Sequence, residues 1–196
     1  MIILAPTLPL AQGLPTPALT IEAEYGSCVV EGSRYTVAHH QPAGSPFAGR
    51  HLPGLEMAGR PSPCNDERIP TVGADEVILV SHLDLDTFGG CLRADPRFVD
   101  VFAWSAAFWA LAEWIDVRGP HKLPDAPFDE ADRGRLRAFW AWSKQLPRFP
   151  RDAVSDVTAH VEDAGIAIRA ILADDSDMLA AGGALAAAEA VMNART

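Results

Sequence analysis

The run Glu76-Val77-Ile78-Leu79-Val80-Ser81 constrains the fold more than any other segment. It is continuously apolar and rich in β-branched residues, the pattern of a strand covered on both faces. A strand of that kind needs helices above and below it, and the second half of the chain supplies helical spacing. Phe98, Val101, Phe102, Phe108, Leu111, Ala112 and Ile115 predict one long helix from Arg97 to Ile115, with Asp95 as its cap and Pro96 in its first turn. Further helices are predicted over Asp129 to Lys144, Asp152 to Leu172 and Ser176 to Met192. Trp104, Phe108, Trp109, Trp114, Phe139, Trp140 and Trp142 read as core aromatics, with a ligand-stacking wall as the alternative.

The first third reads as strands. Leu19 to Glu24 alternates apolar and polar residues, as a half-buried strand does. Ser27 to Val30 and Arg34 to Ala38 predict a hairpin turning at Gly32. Residues 41–72 are rich in Pro and Gly without a period, which predicts a long loop. The expected fold is therefore α/β or α+β. A central sheet takes its strands from the N-terminal half, and the C-terminal part, 129–196, is helical. A length of 196 residues fits a single domain, 1–196, at roughly 100–200 residues per domain.

A formal charge of −10 argues against an extended nucleic-acid surface, which needs cations to neutralise phosphates. Three cysteines without CxxC spacing fit a reducing compartment better than a disulfide framework. The apolar N-terminus has no Lys or Arg ahead of it and is broken by Pro6 and Pro9, so it reads as an extended mature segment and not as a signal peptide. No membrane span is expected. The protein is expected to be cytoplasmic, and a homodimer stays open. The chain lacks a G-x-S-x-G elbow, a phosphate-binding G-x-x-x-x-G-K-[ST] loop and an H-E-x-x-H helix.

Candidate chemistry gathers in three segments. Ser81-His82-Leu83-Asp84-Leu85-Asp86 follows the best strand. If extended geometry continues, His82, Asp84 and Asp86 share one face and the two leucines the other. One imidazole and two carboxylates on one face suit a divalent cation, and a cation relieves the repulsion between the carboxylates. The competing reading is a polar strand end that meets water or caps a helix. His39 and His40 end the predicted hairpin, and adjacent residues of an extended chain point to opposite sides, so at most one of them reaches a given metal. Asp116-Val117-Arg118-Gly119-Pro120-His121-Lys122 ends the long helix, where Asp116 and His121 suit a base or acid and Arg118 and Lys122 an anionic group. The alternative there is a C-cap with basic residues complementing the helix dipole. His160 and Asp163 share a helix face that reads as solvated.

Ser81-His82-x-Asp84-x-Asp86, after an apolar strand and before a small-residue turn, resembles the S-H-x-D-x-D-G-x-x-S motif of the DHH phosphoesterase superfamily. Ala38-His39-His40 matches the Asp-His-His of that family with Ala in place of Asp, and Arg34 to Gln41 resembles the R-F-D-H-H-Q run of related metal-dependent hydrolases. The two motifs stand in reversed order, and together they cover about a tenth of the chain. The resemblance implies His82, Asp84 and Asp86 as metal ligands, with His39 or His40 on the metal or on a phosphoryl oxygen. The expected function is a metal-dependent hydrolase of a small anionic phosphoester, using manganese, with zinc, iron or magnesium as alternatives. Asp116, His121 and His40 would serve catalysis, and Arg118, Lys122 and His39 substrate binding. The other class is a non-catalytic protein that binds a metal or a small anion in the same pocket.

Overall fold

The computed structural model describes residues 1–26, 28–38 and 61–174. His39, His40, residues 41–60 of the predicted loop and the predicted helix from Ser176 to Met192 lie outside them.

The chain is a mixed α/β structure built on five strands. In chain order these are β1 (Ile2–Leu4), β2 (Leu19–Ile21), β5 (Tyr35–Val37), β6 (Ile78–Val80) and β7 (Ser155–Asp156), arranged β5-β2-β6-β1-β7. β1, β2, β5 and β6 run parallel, and β7 joins β1 antiparallel at one edge. The apolar run at 76–81 is the middle strand, with Ile78, Leu79 and Val80 all buried. The N-terminal segment that the sequence suggested was simply extended is a buried strand of this sheet, between β6 and β7.

Alternation sorts side chains to two faces. Ile2, Leu4, Leu19, Ile21, Ile78 and Val80 enter the larger core, under α2 (Leu85–Ala94), α3 (Ala106–Arg118), α4 (Glu130–Ser143) and α5 (Thr158–Leu172). Ile3 and Leu79 face a smaller core closed by α1 (Leu8–Gln12) and by residues of a small hairpin. That hairpin pairs β3 (Glu24–Tyr25) with β4 (Cys28–Val29). It corrects the expected turn at Gly32. The chain reverses at Gly26, whose φ is +63°, and β5 pairs with β2 in parallel. Gly32 is needed for another reason: a Cβ there would stand 2.3 Å from the Tyr35 carbonyl oxygen.

The long helix expected from Arg97 to Ile115 is two elements. A 3-10 turn, Pro96–Phe98, is followed by irregular chain, and α3 starts only after Ser105, whose hydroxyl accepts from the Phe108 amide. The Ser-Ala-Ala-Phe sequence is a capping signal that the apolar spacing masked. Trp104, expected in the core, is 52% exposed, whereas Trp109 and Trp142 are buried. The helix expected from Asp152 starts at Thr158, because Ser155–Asp156 is taken by the edge strand. The helix expected over Asp129 to Lys144 is α4, with Asp129 as its cap.

Asp95 caps the 3-10 turn and is 5% exposed. Its carboxylate accepts from the Arg97 amide at 3.0 Å and from Arg97 Nε at 2.9 Å. Burial alone would raise its pKa, but the Arg97 guanidinium and amide outweigh burial and hold it below the usual carboxylate range. A depressed folded pKa contributes stability above the unfolded value and loses it as pH falls through the folded one. Asp95→Asn should therefore cost about 1–3 kcal/mol at pH 7 and less in strong acid. Urea unfolding of both proteins at the two pH values checks this, and an equal loss at both would contradict it.

Candidate functional site

The chain leaves β2 toward the β5 edge and leaves β6 toward the β7 edge. These two strands are neighbours, so their departing connections open a crevice at their carboxyl ends, the usual ligand position in parallel α/β sheets. Glu22 follows β2, and Ser81-His82 follows β6.

Glu22 is fully buried and adopts a φ of +50°, a conformation rare for residues other than Gly, Asn and Asp and concentrated at functional sites. The backbone is pinned on both sides. The Glu22 amide donates to the Val37 carbonyl at 2.9 Å, and the Ser81 hydroxyl donates to the Glu22 carbonyl. The side chain reaches α2, where Thr87 Oγ1 donates to Glu22 Oε2 at 3.0 Å. In sequence Glu22 looked like the solvent side of an alternating strand. The only hint in the sequence was its position at the end of a short apolar strand.

The expectation that strand geometry runs through His82, Asp84 and Asp86 is corrected. β6 ends at Val80, Asp84 is the N-cap of α2, and Asp86 lies in that helix's first turn. The Thr87 amide donates to Asp84 Oδ1 at 3.2 Å and to Asp86 Oδ1 at 3.0 Å. Both carboxylates thus sit at the positive end of the helix dipole. Ser62, from the part of the 41–72 segment that is described, is buried and donates its hydroxyl to Asp86 Oδ2 at 3.0 Å.

The three predicted ligands do not form one set. Donor atoms of Glu22, His82 and Asp84 lie within 4.8 Å of one another, and so do those of Glu22, Asp86 and Asp116. Glu22 joins the two groups. Asp116, on the last turns of α3, is brought to the site. Arg118 lies instead with its guanidinium 4.8 Å from the centre of the Trp114 ring and lines a separate cavity with Trp104 and Glu113. His121 and Lys122 are exposed on the 3-10 turn Pro120–Asp125, from which Pro120 lines a cavity of about 230 Å³ beside Asp86 and Asp116.

His82 Nε2 is 3.1 Å from both Glu22 Oε2 and Asp84 Oδ2, and its Nδ1 is 2.9 Å from the Ser81 hydroxyl. Burial opposes the charged ring, but the Asp84 and Glu22 carboxylates outweigh it and raise its pKa to about 11. Asp86 is pushed well above the usual carboxylate range, first by burial and then by the charges of Asp84 and Glu22. Burial also acts on Asp84, but the His82 and Asp86 hydrogen bonds hold its pKa down. Four carboxyl groups thus gather at the site, with the imidazole against only two of them, Glu22 and Asp84, an arrangement that is costly for the chain alone. His82 Nε2 faces both Glu22 and Asp84, so these three side chains turn their donor atoms toward one another. Hard oxygen donors with one imidazole match the preferences of manganese, iron, zinc or magnesium.

Other chemistry is not supported by the surroundings. Burial pushes the Cys64 thiol up to about 12, so it is a packed side chain and not a nucleophile. His160 is half-buried, with its ring 4.7 Å from that of Phe149, and is not on a solvated face. Among the described residues no helix is long and apolar enough to cross a membrane. No family model matches the chain, and no curated protein or solved structure matches it.

Proposed function

We propose that the protein is a metal-dependent hydrolase acting on a phosphoester, with Glu22, His82, Asp84, Asp86 and Asp116 as the metal-holding residues. The observation that carries this reading is the pair of donor groups sharing the buried, left-handed Glu22. A protein that only needed a stable strand end would gain from fewer carboxylates there. A divalent cation at such a site acidifies a water and polarises a phosphoryl oxygen. The chain's own part is to fix its donors before the ligand arrives. Ser81 orients the His82 ring through Nδ1, and Ser62 and the Thr87 amide hold Asp86. The α2 dipole favours negative charge on Asp84 and Asp86 and, at the same helix end, on an incoming phosphate.

Position 38, where the resembling family carries Asp, holds a buried Ala. The Glu22–Val37 hydrogen bond places the start of that segment beside Glu22. In this reading Glu22 supplies the carboxylate from the neighbouring strand. The same substitution also favours the second reading, a binding protein without turnover. Assays of phosphodiesterase and phosphatase activity with added Mn²⁺ separate the two. The hydrolase reading expects Mn-dependent turnover that falls at least ~10²-fold in Asp84→Asn. Elemental analysis should show metal in the wild type and much less in Asp84→Asn. Equal metal in both would overturn the ligand set.

A further inference from the structure

A cavity of about 1070 Å³ opens from the His82–Asp84 side of the site toward the segment after α4. Its far wall carries Lys144, Arg148 and Arg151, all exposed. We propose that this wall is an anion subsite for a ring-bearing organic phosphate of nucleotide type. Its phosphate would rest on Lys144, Arg148 and Arg151, and its flat ring against Trp140 and Phe149.

The argument starts from how the other arginines are used. Arg34, Arg68, Arg97, Arg133, Arg135 and Arg137 pair with carboxylates. Arg93 and Arg169 donate to backbone carbonyls, and Arg118 lies over Trp114. Among the described residues, only Arg148 and Arg151 of the arginines have no acidic, carbonyl or aromatic partner, and both line the same cavity. Lys144, on that wall too, has no ion pair among the described residues. In a chain with a net charge of −10, three exposed cations from one segment line the same cavity with no ion pair among the described residues. That grouping suits an anion arriving from outside, since guanidinium forks match phosphate oxygens in pairs.

The rest of the lining selects among anions. Trp140 and Phe149 are half-buried on the same cavity, with Leu4 and Leu146 beside them. Inorganic phosphate would leave these surfaces wet, whereas a planar ring covers them and stacks. The volume is ample for a ligand of nucleotide size.

The hydrolase reading bears on this inference only through the ligand's later fate, so binding is tested without metal. Calorimetry in EDTA at low salt would compare adenosine 5′-monophosphate, adenosine and inorganic phosphate. Each would be titrated into wild type, Arg148→Ala/Arg151→Ala and the control Arg118→Ala. The expected result is that the monophosphate binds wild type more tightly than either fragment. The double arginine variant should weaken it at least ~10-fold with its melting temperature unchanged, and Arg118→Ala, on the separate cavity beside Trp114, should retain it. No binding of the monophosphate, equal binding of adenosine or of phosphate, or an unchanged affinity in the double variant would overturn the assignment. Metal retention by the same preparations reports on the hydrolase reading separately. Nucleotide binding without metal would sink only the hydrolase, and metal without nucleotide binding would sink only the subsite.

Discussion

Asp86→Asn should melt at a higher temperature than the wild type when both are metal-free, and should lose most of the upward shift that Mn²⁺ gives the wild type. The two effects have one cause. Asp86 is 2% exposed and faces Glu22, Asp84 and Asp116, so burial and like charge both oppose its ionised form. Its folded pKa is raised, so its contribution to stability is present below the unfolded value and is lost as pH rises through the folded one. At neutral pH the metal-free protein therefore bears a cost that the amide removes. Replacing such a buried charge is worth about 1–3 kcal/mol, or a few degrees in a chain of this size at roughly 2–4 °C per kcal/mol. The Thr87 amide can still donate to the Asn oxygen, and the Ser62 hydroxyl, turned toward the Cys64 sulfur, can accept from the new NH2 group. With a cation bound the sign reverses, because the carboxylate becomes a ligand. Metal at about a hundred times its dissociation constant stabilises the wild type by about 2.7 kcal/mol, and most of that shift is absent from the variant. Glu22→Gln, which removes the residue common to both donor groups, should abolish the shift. Thermal melts with EDTA and with Mn²⁺ measure both. A wild type insensitive to Mn²⁺, or an Asp86→Asn protein that melts lower than wild type without metal, would contradict the account.

What the sequence revealed of this site follows from which residues announce their environment. His82, Asp84 and Asp86 stand directly after an apolar run, and a cluster of polar residues at that point signals a strand end. The order of events there, strand to turn to helix cap, was not visible, because alternation and a capping turn both tolerate Leu at 83 and 85. Asp116 was reachable as a helix end before Pro120. Glu22 was not, since its burial depends on a positive φ that only neighbouring strands impose. The basic wall was equally hidden. Lys144, Arg148 and Arg151 look like ordinary surface cations until the partners of every other described arginine are known. The sheet was legible where burial is continuous, at Ile78–Val80, and illegible at Ile2–Leu4, where the prolines that follow masked a central strand.

Gly89→Val should destabilise the protein by about 3 kcal/mol and should disturb the site from a distance. α2 carries Asp84 and Asp86, and its inner face packs against the 3-10 turn Pro63–Asn65 and against α3. A Cβ at position 89 would stand 2.6 Å from the Cys64 Cβ and 2.6 Å from the Trp109 ring. Neither neighbour can retreat easily. Cys64 and Trp109 are both fully buried, and the indole nitrogen donates to the Ala103 carbonyl at 3.1 Å. Interiors are packed close to crystal density, so the added atoms must move α2 or the turn and cannot fill space. The same approach serves Asp86, because Ser62, its hydroxyl partner, immediately precedes the turn that Gly89 abuts. Gly89→Ala should be the milder case, costing about 1–2 kcal/mol, since it adds one carbon with good helix propensity. Urea unfolding with an unchanged slope gives the two losses. Metal titration of the folded fraction should show weaker Mn²⁺ binding in the valine variant than in the alanine variant. A valine variant within ~0.5 kcal/mol of wild type would mean that α2 is not held by this contact.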